Sequence, residues 1–426
     1  MKFKRAGGLS GEIIVPGDKS ISHRSIMLGS LAKGNTEVTG FLQGADCLST
    51  IDCFRKMGVE ITNNGDGIVV ITGRGLRGLL PSDDTLDVGN SGTTTRLMSG
   101  ILAAQSFSSR VNGDASIQKR PMKRIITPLL QMGADIKSEN GNDCAPLVIN
   151  GRQLKGISYA SPVASAQVKS AILFAGLYAE GETTVTEPAL SRNHTELMLE
   201  EFGVGIKTEG KSVTVTPARE LFARKITVPG DISSAAYFMV AAAITPNSCV
   251  TVKNVGINPT RDGMIQVMKM MGADITVEKT SADIGEPTAD ITVRTSELKG
   301  CVIGGDIIPT LIDEIPAIAI LACFAEGETI IKDAGELKVK ESNRIDVMVS
   351  NLSAMGADIE ATEDGMIIKG GKALHGAKVD SRLDHRIAMS FAVAALNADG
   401  ETDILGSECV DISYPGFYGD LKKLIK

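Results

Sequence analysis

Charged and hydroxylated side chains cluster where strand-like runs give way to apolar, helix-like runs. In residues 16–24 (PGDKSISHR), Lys19, Ser20 and Arg24 open such a helix. The backbone N–H groups of a helix start favour anions, and lysine and arginine add positive charge. A P-loop needs glycine directly before Lys-Ser, and Asp18 stands there instead, so an ATPase is a poor interpretation. The plain alternative is a capped helix start with solvated cations.

Two later segments offer further candidates for anion contacts. Residues 86–96 (LDVGNSGTTTR) have the same strand–turn–helix form, with a polar Asn90 and with Gly92, whose missing side chain permits close approach of a ligand. An ordinary tight turn is the alternative here. In the basic run QKRPMKR most charges are expected to be solvated, whereas Arg120, directly before proline, is the better ligand candidate.

The segment SPVASAQVKS opens another apolar helix. Its Ser165 and Gln167 could hydrogen-bond a phosphate and a sugar-like ring, and Arg192 adds one more cation before the next helix.

Carboxylates join the cations in the second half of the chain. Asp313 precedes the apolar run IAILACFA, Lys340, Glu341 and Arg344 lie in KVKESNR, and Arg386 follows Asp-His before a third apolar helix. This pattern places acid–base groups beside anion clamps. Because acidic residues at helix starts are also plain caps, that alternative stays open for Asp313.

A repeat positions these segments. Helix-like runs ending in glycine and followed by a strand recur as KMGVEI, QMGADI, EFGVGI, MMGADI and AMGADI, around Gly58, Gly133, Gly203, Gly272 and Gly356. Glycine after a helix suits a left-handed C-cap. Turns such as EGETTVTEP and EGETIIKDA recur between them, so each unit is predicted as helix, strand, helix, strand, strand.

The two halves of the chain also resemble one another. Residues 13–41 are similar to residues 226–254, and VPGD occurs in both. Duplication with about three units per half explains this, and each Pro-Gly pair predicts a domain crossing. Helices such as AAYFMVAAAI are apolar on most faces and are predicted to lie buried, enclosed by sheets.

Composition restricts the class of protein. A chain of 426 residues predicts two domains. The net charge of −7 disfavours nucleic-acid and acidic-membrane partners but not a small anionic substrate. Seven scattered cysteines and four histidines without ligand spacing predict reduced thiols and no metal. We expect a cytoplasmic protein, since no run reaches membrane-spanning length and the N-terminus has no signal core.

Six motifs together resemble the 5-enolpyruvylshikimate-3-phosphate (EPSP) synthase family. PGDKSISHR, GNSGTTTR, KRPM, SAQVKSA, KVKESNR and DHRIAMSFAV follow in family order from residue 16 to residue 393, in a form similar to the second bacterial class. The resemblance implies an α/β (α+β) fold, a two-domain inside-out barrel. Each domain would have three βαβαββ units with buried helices, and the active site would lie in the interdomain cleft. The domains would be residues 1–15 with 229–426, and residues 16–228.

The resemblance also implies a reaction and its residues. The enolpyruvyl group of phosphoenolpyruvate would pass to the 5-hydroxyl of shikimate 3-phosphate through a tetrahedral intermediate, in aromatic amino acid biosynthesis, without a cofactor, in a monomer. The implied catalytic residues are Asp313, Glu341, Lys19 and Lys340. The implied shikimate 3-phosphate contacts are Lys19, Ser20, Arg24, Ser165, Gln167, Arg192, Asp313 and Lys340. The implied phosphoenolpyruvate contacts are Lys19, Asn90, Gly92, Arg120, Arg344 and Arg386.

Two alternative functions are considered, one with a different substrate and one without catalysis. The sister transferase acting on UDP-N-acetylglucosamine commonly uses a loop cysteine as proton donor, and SRVNGDASIQ contains none. A non-catalytic ligand-binding relative would not need both carboxylates. Two positions depart from the other bacterial class, since the tail lacks a matching lysine and Glu336 replaces an amide. Gly92 leaves space where alanine would crowd glyphosate, so we expect inhibition competitive with phosphoenolpyruvate.

Overall fold

Six β-sheets organise the residues that the computed structural model describes, 1–280 and 285–426. Three sheets belong to a middle unit, Gly17–Val228, and three to an N/C unit made of Met1–Pro16 and Pro229–Lys426. Each unit has its own continuous hydrophobic core. The breaks between the units fall inside the two VPGD copies.

The α-helices in chain order are α1 Lys19–Leu31, α2 Ala45–Lys56, α3 Gly92–Leu102, α4 Lys123–Gln131, α5 Ala166–Gly176, α6 His194–Glu201, α7 Ile232–Ile244, α8 Gly263–Met270, α9 Ile308–Leu311, α10 Ile315–Cys323, α11 Arg344–Ala354, α12 His385–Ala395 and α13 Phe417–Leu424. Short 3-10 helices are Ile117–Lys119, Gly305–Ile307, Gly335–Val339 and Ser407–Ile412.

The β-strands in chain order are β1 Lys2–Lys4, β2 Ser10–Ile14, β3 Ala32–Thr39, β4 Glu60–Asn63, β5 Val69–Arg74, β6 Leu86–Asp87, β7 Ser108–Asn112, β8 Asp135–Ser138, β9 Leu147–Asn150, β10 Ser158–Ala160, β11 Thr183–Thr186, β12 Ile206–Glu209, β13 Ser212–Val215, β14 Leu221–Phe222, β15 Lys225–Thr227, β16 Cys249–Gly256, β17 Asp274–Lys279, β18 Thr288–Arg294, β19 Val302–Ile303, β20 Glu328–Ile331, β21 Asp358–Ala361, β22 Met366–Lys369, β23 Lys378–Asp380 and β24 Glu401–Leu405.

One strand order recurs and confirms the predicted βαβαββ unit. In the sheet β6-β7-β9-β8 the first two strands are parallel and the remaining pairs antiparallel. The sheets β10-β11-β13-β12 and β19-β20-β22-β21 repeat this order. Parallel neighbours require a crossover, and α3, α5 and α10 lie in those crossovers. Each crossover brings the start of a buried helix to the end of a strand.

Two sheets exchange their first strands between the halves of the sequence. Strand β2 precedes α1 in the chain but pairs in parallel with β16, which follows α7. Strands β14 and β15 precede α7 but pair in parallel with β3, which follows α1. The chain therefore crosses from one unit to the other at each VPGD copy.

The sixth sheet departs from the predicted repeat. After β24 the chain enters the 3-10 helix Ser407–Ile412 and α13 instead of a hairpin. Strand β1 pairs antiparallel with β24, with Lys2 opposite Asp403, and completes a sheet of three strands in the order β1-β24-β23. The start of the chain thus supplies the antiparallel neighbour that a hairpin supplies in the other units.

The central helices are buried, as their composition predicts. Every residue of α7, α10 and α12 is buried, and these three helices pack on one another in the N/C unit. The five predicted C-cap glycines all have φ between 82° and 90°, which is left-handed backbone. No helix in the described parts of the chain is long and apolar enough to cross a membrane.

All seven cysteines are free thiols. Burial is the main cause that raises the pKa of Cys53, Cys323 and Cys409 to about 12. These three thiols therefore stay protonated near neutral pH and are poor nucleophiles.

Candidate active-site clusters

Most of the predicted binding residues of the middle unit lie at the starts of α1, α3 and α5, and this group is called here the middle cluster. Asp18 caps α1 by accepting from the N–H of Ile21 at 2.9 Å, and Ser91 caps α3 by accepting from the N–H of Thr94 at 3.1 Å. The third helix, α5, is capped by Ser165. Each capping side chain accepts from one of the backbone N–H groups that have no partner within the helix. The other N–H groups of that first turn also point out of the start of the helix.

Lys19 is not a solvated cation, so the plain alternative for this segment is wrong in that respect. Its Nζ lies 2.6 Å from Oδ2 of Asp46, at the start of α2, and its side chain is 19% exposed. Asp46 is a residue that the sequence interpretation missed, because nothing in its neighbourhood marks it as a partner of a lysine 27 positions earlier. The pair holds a positive group at the edge of the middle cluster.

Arg24 lies buried and joins α1 to α5 and α6. Its Nε donates to Oγ1 of Thr195 at 2.6 Å, its Nη2 to Oγ of Ser170 at 2.8 Å, and its Nη1 to the carbonyl oxygen of Ser20 at 2.9 Å. The guanidinium thereby fixes the backbone of Ser20. Its predicted contact with a ligand stays a prediction.

A chain of hydroxyl groups connects α1 to α3. His23 Nδ1 lies 2.7 Å from Oγ1 of Thr50, which lies 2.7 Å from Oγ1 of Thr94, and Thr94 donates to Oγ of Ser91 at 2.7 Å. Burial, followed by the charges of Lys19 and Arg24, lowers the pKa of His23 well below its ordinary value. His23 is therefore neutral and acts as a structural hydrogen-bonding residue, as its spacing predicts.

Gly92 lies where two arginine side chains pass close to the backbone. A Cβ there would be 2.7 Å from Nη1 of Arg96 and 2.9 Å from Nη2 of Arg120. Arg120 Nη1 donates to the carbonyl oxygen of Asn90 at 3.2 Å, and both guanidinium side chains belong to buried residues. A side chain at position 92 would therefore shift the ends of two guanidinium groups. The predicted contact of Gly92 with a ligand stays a prediction.

Arg96 is a second residue that the sequence interpretation missed, although it ends the motif GNSGTTTR. Its Nη1 donates to Oε1 of Gln167 at 2.6 Å and its Nη2 to the carbonyl oxygen of Pro121 at 3.2 Å. Gln167 in turn donates to Oγ1 of Thr93 at 2.9 Å. The amide of Gln167 is therefore oriented by two side chains of α3. The sequence indicated Gln167 as a candidate because it is a polar residue at the start of an apolar helix.

A buried ion triplet lies between the two segments that carry Ser165 and Arg192. Lys169 Nζ lies 2.9 Å from Glu187 and 2.7 Å from Glu196, with all three side chains almost fully buried. Glu187 also accepts from the N–H of Ser165 at 3.0 Å. Arg192 lies half-buried in the loop before α6. Glu187 thus connects the loop after β11 to the loop between β10 and α5.

Arg344 is the centre of the corresponding N/C cluster, at the starts of α10, α11 and α12. Its guanidinium donates to Asp384 Oδ2 at 2.8 Å, to Glu341 Oε2 at 2.6 Å and to Asp313 Oδ1 at 3.3 Å. The side chain is 1% exposed. One buried cation therefore brings together three carboxylates that lie far apart in the sequence.

The charges of this cluster are mutually stabilised. Burial alone would lower the pKa of Arg344, but Asp384 and Glu341 outweigh burial and raise it above its ordinary value. Burial alone would raise the pKa of Asp384, but Arg344 outweighs it and the pKa is lowered. Asp384 is also the N-cap of α12, accepting from the N–H of Arg386 at 3.0 Å. It is a cap and an anchor for Arg344 at once.

Asp313 is not a plain helix cap, so the capping alternative fails for this residue. The N-cap of α10 is Glu314. The carboxylate of Asp313 lies 3.3 Å from Arg344, 3.6 Å from Lys340 Nζ and 4.0 Å from Arg386 Nη2, and it keeps 14% side-chain exposure. A partly exposed carboxylate among three cations can accept and return a proton.

Lys340 bridges two acids. Its Nζ lies 3.3 Å from Oε1 of Glu336 and 3.6 Å from Oδ1 of Asp313. Glu336, noted in the sequence as a departure from an amide, is thus an ion-pair partner of a predicted catalytic lysine.

A second layer that the sequence interpretation missed lies behind Arg386. Glu314 is buried and lies 3.9 Å from Nη1 of Arg386, and it accepts a short hydrogen bond from Ser233. Arg261 Nη2 donates to Ser233 Oγ at 2.8 Å and to Asp231 Oδ1 at 3.2 Å. The available signal was Asp231, which occupies the position in the second VPGD that Asp18 occupies in the first. No metal-binding group of three His, Cys, Asp or Glu occurs among residues 1–280 and 285–426.

Each unit has three sheets and places cations at the starts of buried helices, an arrangement that suits small anionic substrates. The profile of EPSP synthase (3-phosphoshikimate 1-carboxyvinyltransferase) matches residues 4–421. The chain belongs to the EPSP synthase family.

Individual relatives agree over almost the whole length. The chain is 59% identical over 419 residues to a 3-phosphoshikimate 1-carboxyvinyltransferase of Bacillus cereus (strain B4264), with 98% of this chain and 97% of the relative covered. A protein of the same name from Bacillus thuringiensis (strain Al Hakam) shows the same identity and coverage. The structure of an EPSP synthase from Acinetobacter baumannii superposes with a TM-score of 0.88 at 49% identity, covering 100% of this chain and 98% of that one.

Proposed function

We propose that this enzyme transfers the enolpyruvyl group of phosphoenolpyruvate to the 5-hydroxyl of shikimate 3-phosphate and releases phosphate, a step in aromatic amino acid biosynthesis. The observation that carries the proposal, beside family membership, is the N/C cluster. Arg344 is held by Asp384 and contacts both Asp313 and Glu341, with Lys340 3.6 Å from Asp313. Cation and acid–base groups are thus combined in one place.

Shikimate 3-phosphate is assigned mainly to the middle cluster. Its phosphate would contact Lys19, Ser20 and Ser165 at the starts of α1 and α5, because N–H groups and a cation favour anions there. Its ring hydroxyls would hydrogen-bond to Gln167, whose amide is already oriented by Arg96 and Thr93. The remaining assigned contacts are Arg24, Arg192, Asp313 and Lys340.

Phosphoenolpyruvate needs cations for both its carboxylate and its phosphate. Arg344 and Arg386 supply a pair of guanidiniums in the N/C unit, while Arg120 and Lys19 supply cations in the middle unit. The side chain of Asn90 and the backbone of Gly92 are assigned as further contacts. Guanidinium groups suit these anions because they donate two parallel hydrogen bonds.

The chemistry requires a proton on C3 of phosphoenolpyruvate before its C2 can be attacked. An acid delivers that proton, the 5-hydroxyl of shikimate 3-phosphate attacks C2, and a base takes the hydroxyl proton. The tetrahedral intermediate then loses phosphate and one C3 proton. We assign the base to Asp313 and the C3 proton transfers to Glu341 with Lys340. Lys19 stabilises the phosphate that leaves.

Phosphate release from phosphoenolpyruvate tests the proposal. We expect release with shikimate 3-phosphate and none with UDP-N-acetylglucosamine, and near-complete loss in Glu341→Gln. The matched control is Glu360→Gln, an exposed position on β21 of the same unit that makes the same change of charge. Release with the nucleotide sugar alone, or no release with either acceptor, would overturn the proposal.

The domain organisation, the oligomeric state and the location of the protein are proposals or predictions as well. We propose that the middle unit and the N/C unit are the two domains of the family fold. The monomeric state and the cytoplasmic location stay predictions.

A further inference from the structure

The middle unit contains a cavity that none of the assigned site residues line. Its volume is about 590 Å³, within the roughly 300–1,000 Å³ typical of sites for small organic ligands. It lies where α5 ends, beside the loop after β5 and the loop after β13. Its lining includes Leu76, Arg77, Leu177, Tyr178, Pro217 and Arg219.

The polar part of the lining is strongly basic. The lining contains one acid, Glu220, and four cations, Lys33, Arg74, Arg77 and Arg219. Lys33 and Glu220 form an ion pair with each other. Three arginines are left around the same space in a chain whose net charge is −7.

Among residues 1–280 and 285–426, Arg74 alone of these arginines donates hydrogen bonds to the protein. Arg74 donates from Nε to the carbonyl oxygen of Gly78 at 2.6 Å and from Nη1 to that of Gly58 at 3.0 Å. Within residues 1–280 and 285–426, Arg77 and Arg219 donate no hydrogen bond to the protein and pair with no carboxylate. The guanidinium of Arg77 lies over the ring of Tyr178, 5.7 Å from its centroid.

Compensation of a helix end does not explain the two arginines. Carbonyl groups at the end of a helix favour cations, and α5 ends beside this cavity. However, the N–H of Ala179 binds the carbonyl of Gly176 at 3.3 Å, the N–H of Ala218 binds that of Leu177 at 3.0 Å, and Gln153 Nε2 binds that of Tyr178 at 3.2 Å. Backbone groups and a glutamine already satisfy these carbonyls.

The geometry points to a second anion site, which binds a small organic anion through Arg77 and Arg219. A carboxylate or phosphate group would accept from the two guanidiniums, and the apolar body of the ligand would pack on Leu76, Leu177 and Pro217. Guanidinium forks match the oxygens of both kinds of group. This site is independent of the proposed function, because it shares no residue with either cluster.

Titration calorimetry on the full chain with phenyl phosphate, and separately with benzoate, tests the site. We expect at least one probe to bind the wild-type protein, and to bind the double variant Arg77→Gln/Arg219→Gln about tenfold or more weakly. The control is Arg152→Gln in the same unit, an exposed arginine that pairs with Asp135 outside the cavity. It should bind as the wild type does.

The two probes separate the possible sources of the anion. Binding of phenyl phosphate alone supports a phosphate ligand, and binding of benzoate alone supports a carboxylate. No binding of either probe, or equal affinity in the double variant and the wild type, would overturn the proposal. A melting curve of the double variant close to that of the wild type shows that loss of binding is not loss of fold.

Turnover without any probe gives a second readout. The double variant should keep the kcat and KM of phosphate release to within about twofold, because neither arginine belongs to the proposed active-site clusters. A large loss of turnover in the absence of probe would assign the arginines to the main reaction and so contradict a separate site.

Discussion

The middle cluster and the N/C cluster are built on the same repeated scaffold and differ in the residues that cap their helices. In the middle cluster two of the three caps are the neutral serines Ser91 and Ser165. In the N/C unit Asp231, Glu314 and Asp384 occupy the N-cap positions of α7, α10 and α12. The first arrangement places less negative charge at its helix starts, which favours anions there. The second balances its arginines with carboxylates, which can also move protons.

The comparison therefore predicts a division of labour. Changes to the carboxylates of the N/C cluster should reduce turnover or stability, and changes in the middle cluster should mainly weaken binding. The predictions below test this division, beginning with the largest expected effect.

Asp313→Asn should lower kcat by roughly 10²–10⁴-fold, the usual contribution of a general base. The amide keeps the shape but cannot accept the proton of the 5-hydroxyl. Steady-state phosphate release measures kcat, and Asp358→Asn, exposed on β21 of the same unit, is the control. A variant with kcat near the wild-type value would remove Asp313 from the acid–base role.

Asp384→Asn should lower the free energy of unfolding by about 3–5 kcal/mol, because Arg344 would keep its buried charge without its principal anion. Asparagine still caps α12, so the loss reports charge and not the cap. Urea unfolding followed by circular dichroism measures it, with Asp358→Asn as the control.

The destabilisation expected for Asp384→Asn should depend on pH in a definite direction. Since the pKa of Asp384 is lowered from 3.8, its stabilising effect is complete above pH 3.8 and is lost as the pH falls through the lowered pKa. The difference between wild type and variant should therefore shrink only in strong acid. A constant difference across this range would contradict the assigned ion pair.

Gly92→Ala should weaken phosphoenolpyruvate binding by about 1.5–3 kcal/mol, roughly ten- to a hundredfold in KM, by displacing Arg96 and Arg120. Glyphosate, expected to compete with phosphoenolpyruvate in the wild type, should lose at least as much affinity. Inhibition kinetics measure both constants. The control is Gly419→Ala in α13, where an added Cβ meets nothing within 4 Å. An unchanged KM would show that the two arginines do not depend on Gly92.

His23→Gln should have the smallest effect, on the pH dependence of stability. Because the pKa of His23 is lowered below 6.5, the unfolded chain binds a proton first as pH falls, so stability is full above pH 6.5 and declines below it. Each pKa unit of separation amounts to about 1.4 kcal/mol. Urea midpoints on either side of that pH should differ less in the variant than in the wild type. His375→Gln, an exposed histidine, should behave as the wild type does.

Local and repeated features of the fold could be predicted from the sequence. The glycines after helices, such as Gly58 and Gly356, mark left-handed caps by type alone, and their regular recurrence predicts the units. The buried helices follow from their composition. The closure of the last sheet could not be predicted, because Lys2 pairs with Asp403 across nearly the whole chain and a strand of three residues carries little pattern.

The same distinction holds for the clusters. Residues such as Arg344 and Asp313 stand in motifs at helix starts and could be named as candidates. Their partners could not, since the contacts of Asp46, Arg96 and Glu314 are made by folding segments that no local pattern connects. The roles of the candidate residues stay predictions until the variants are measured.

Hydrogen exchange at C3 of phosphoenolpyruvate tests the division of labour most directly. The enzyme is incubated in D₂O with phosphoenolpyruvate and shikimate 3-phosphate, and deuterium in C3 is followed by mass spectrometry beside the Kd for shikimate 3-phosphate. We predict that Glu341→Gln loses the exchange and keeps that Kd to within about twofold, whereas Lys19→Gln raises the Kd. Exchange that persists in Glu341→Gln at the wild-type rate would contradict the assignment of proton transfer to the N/C cluster.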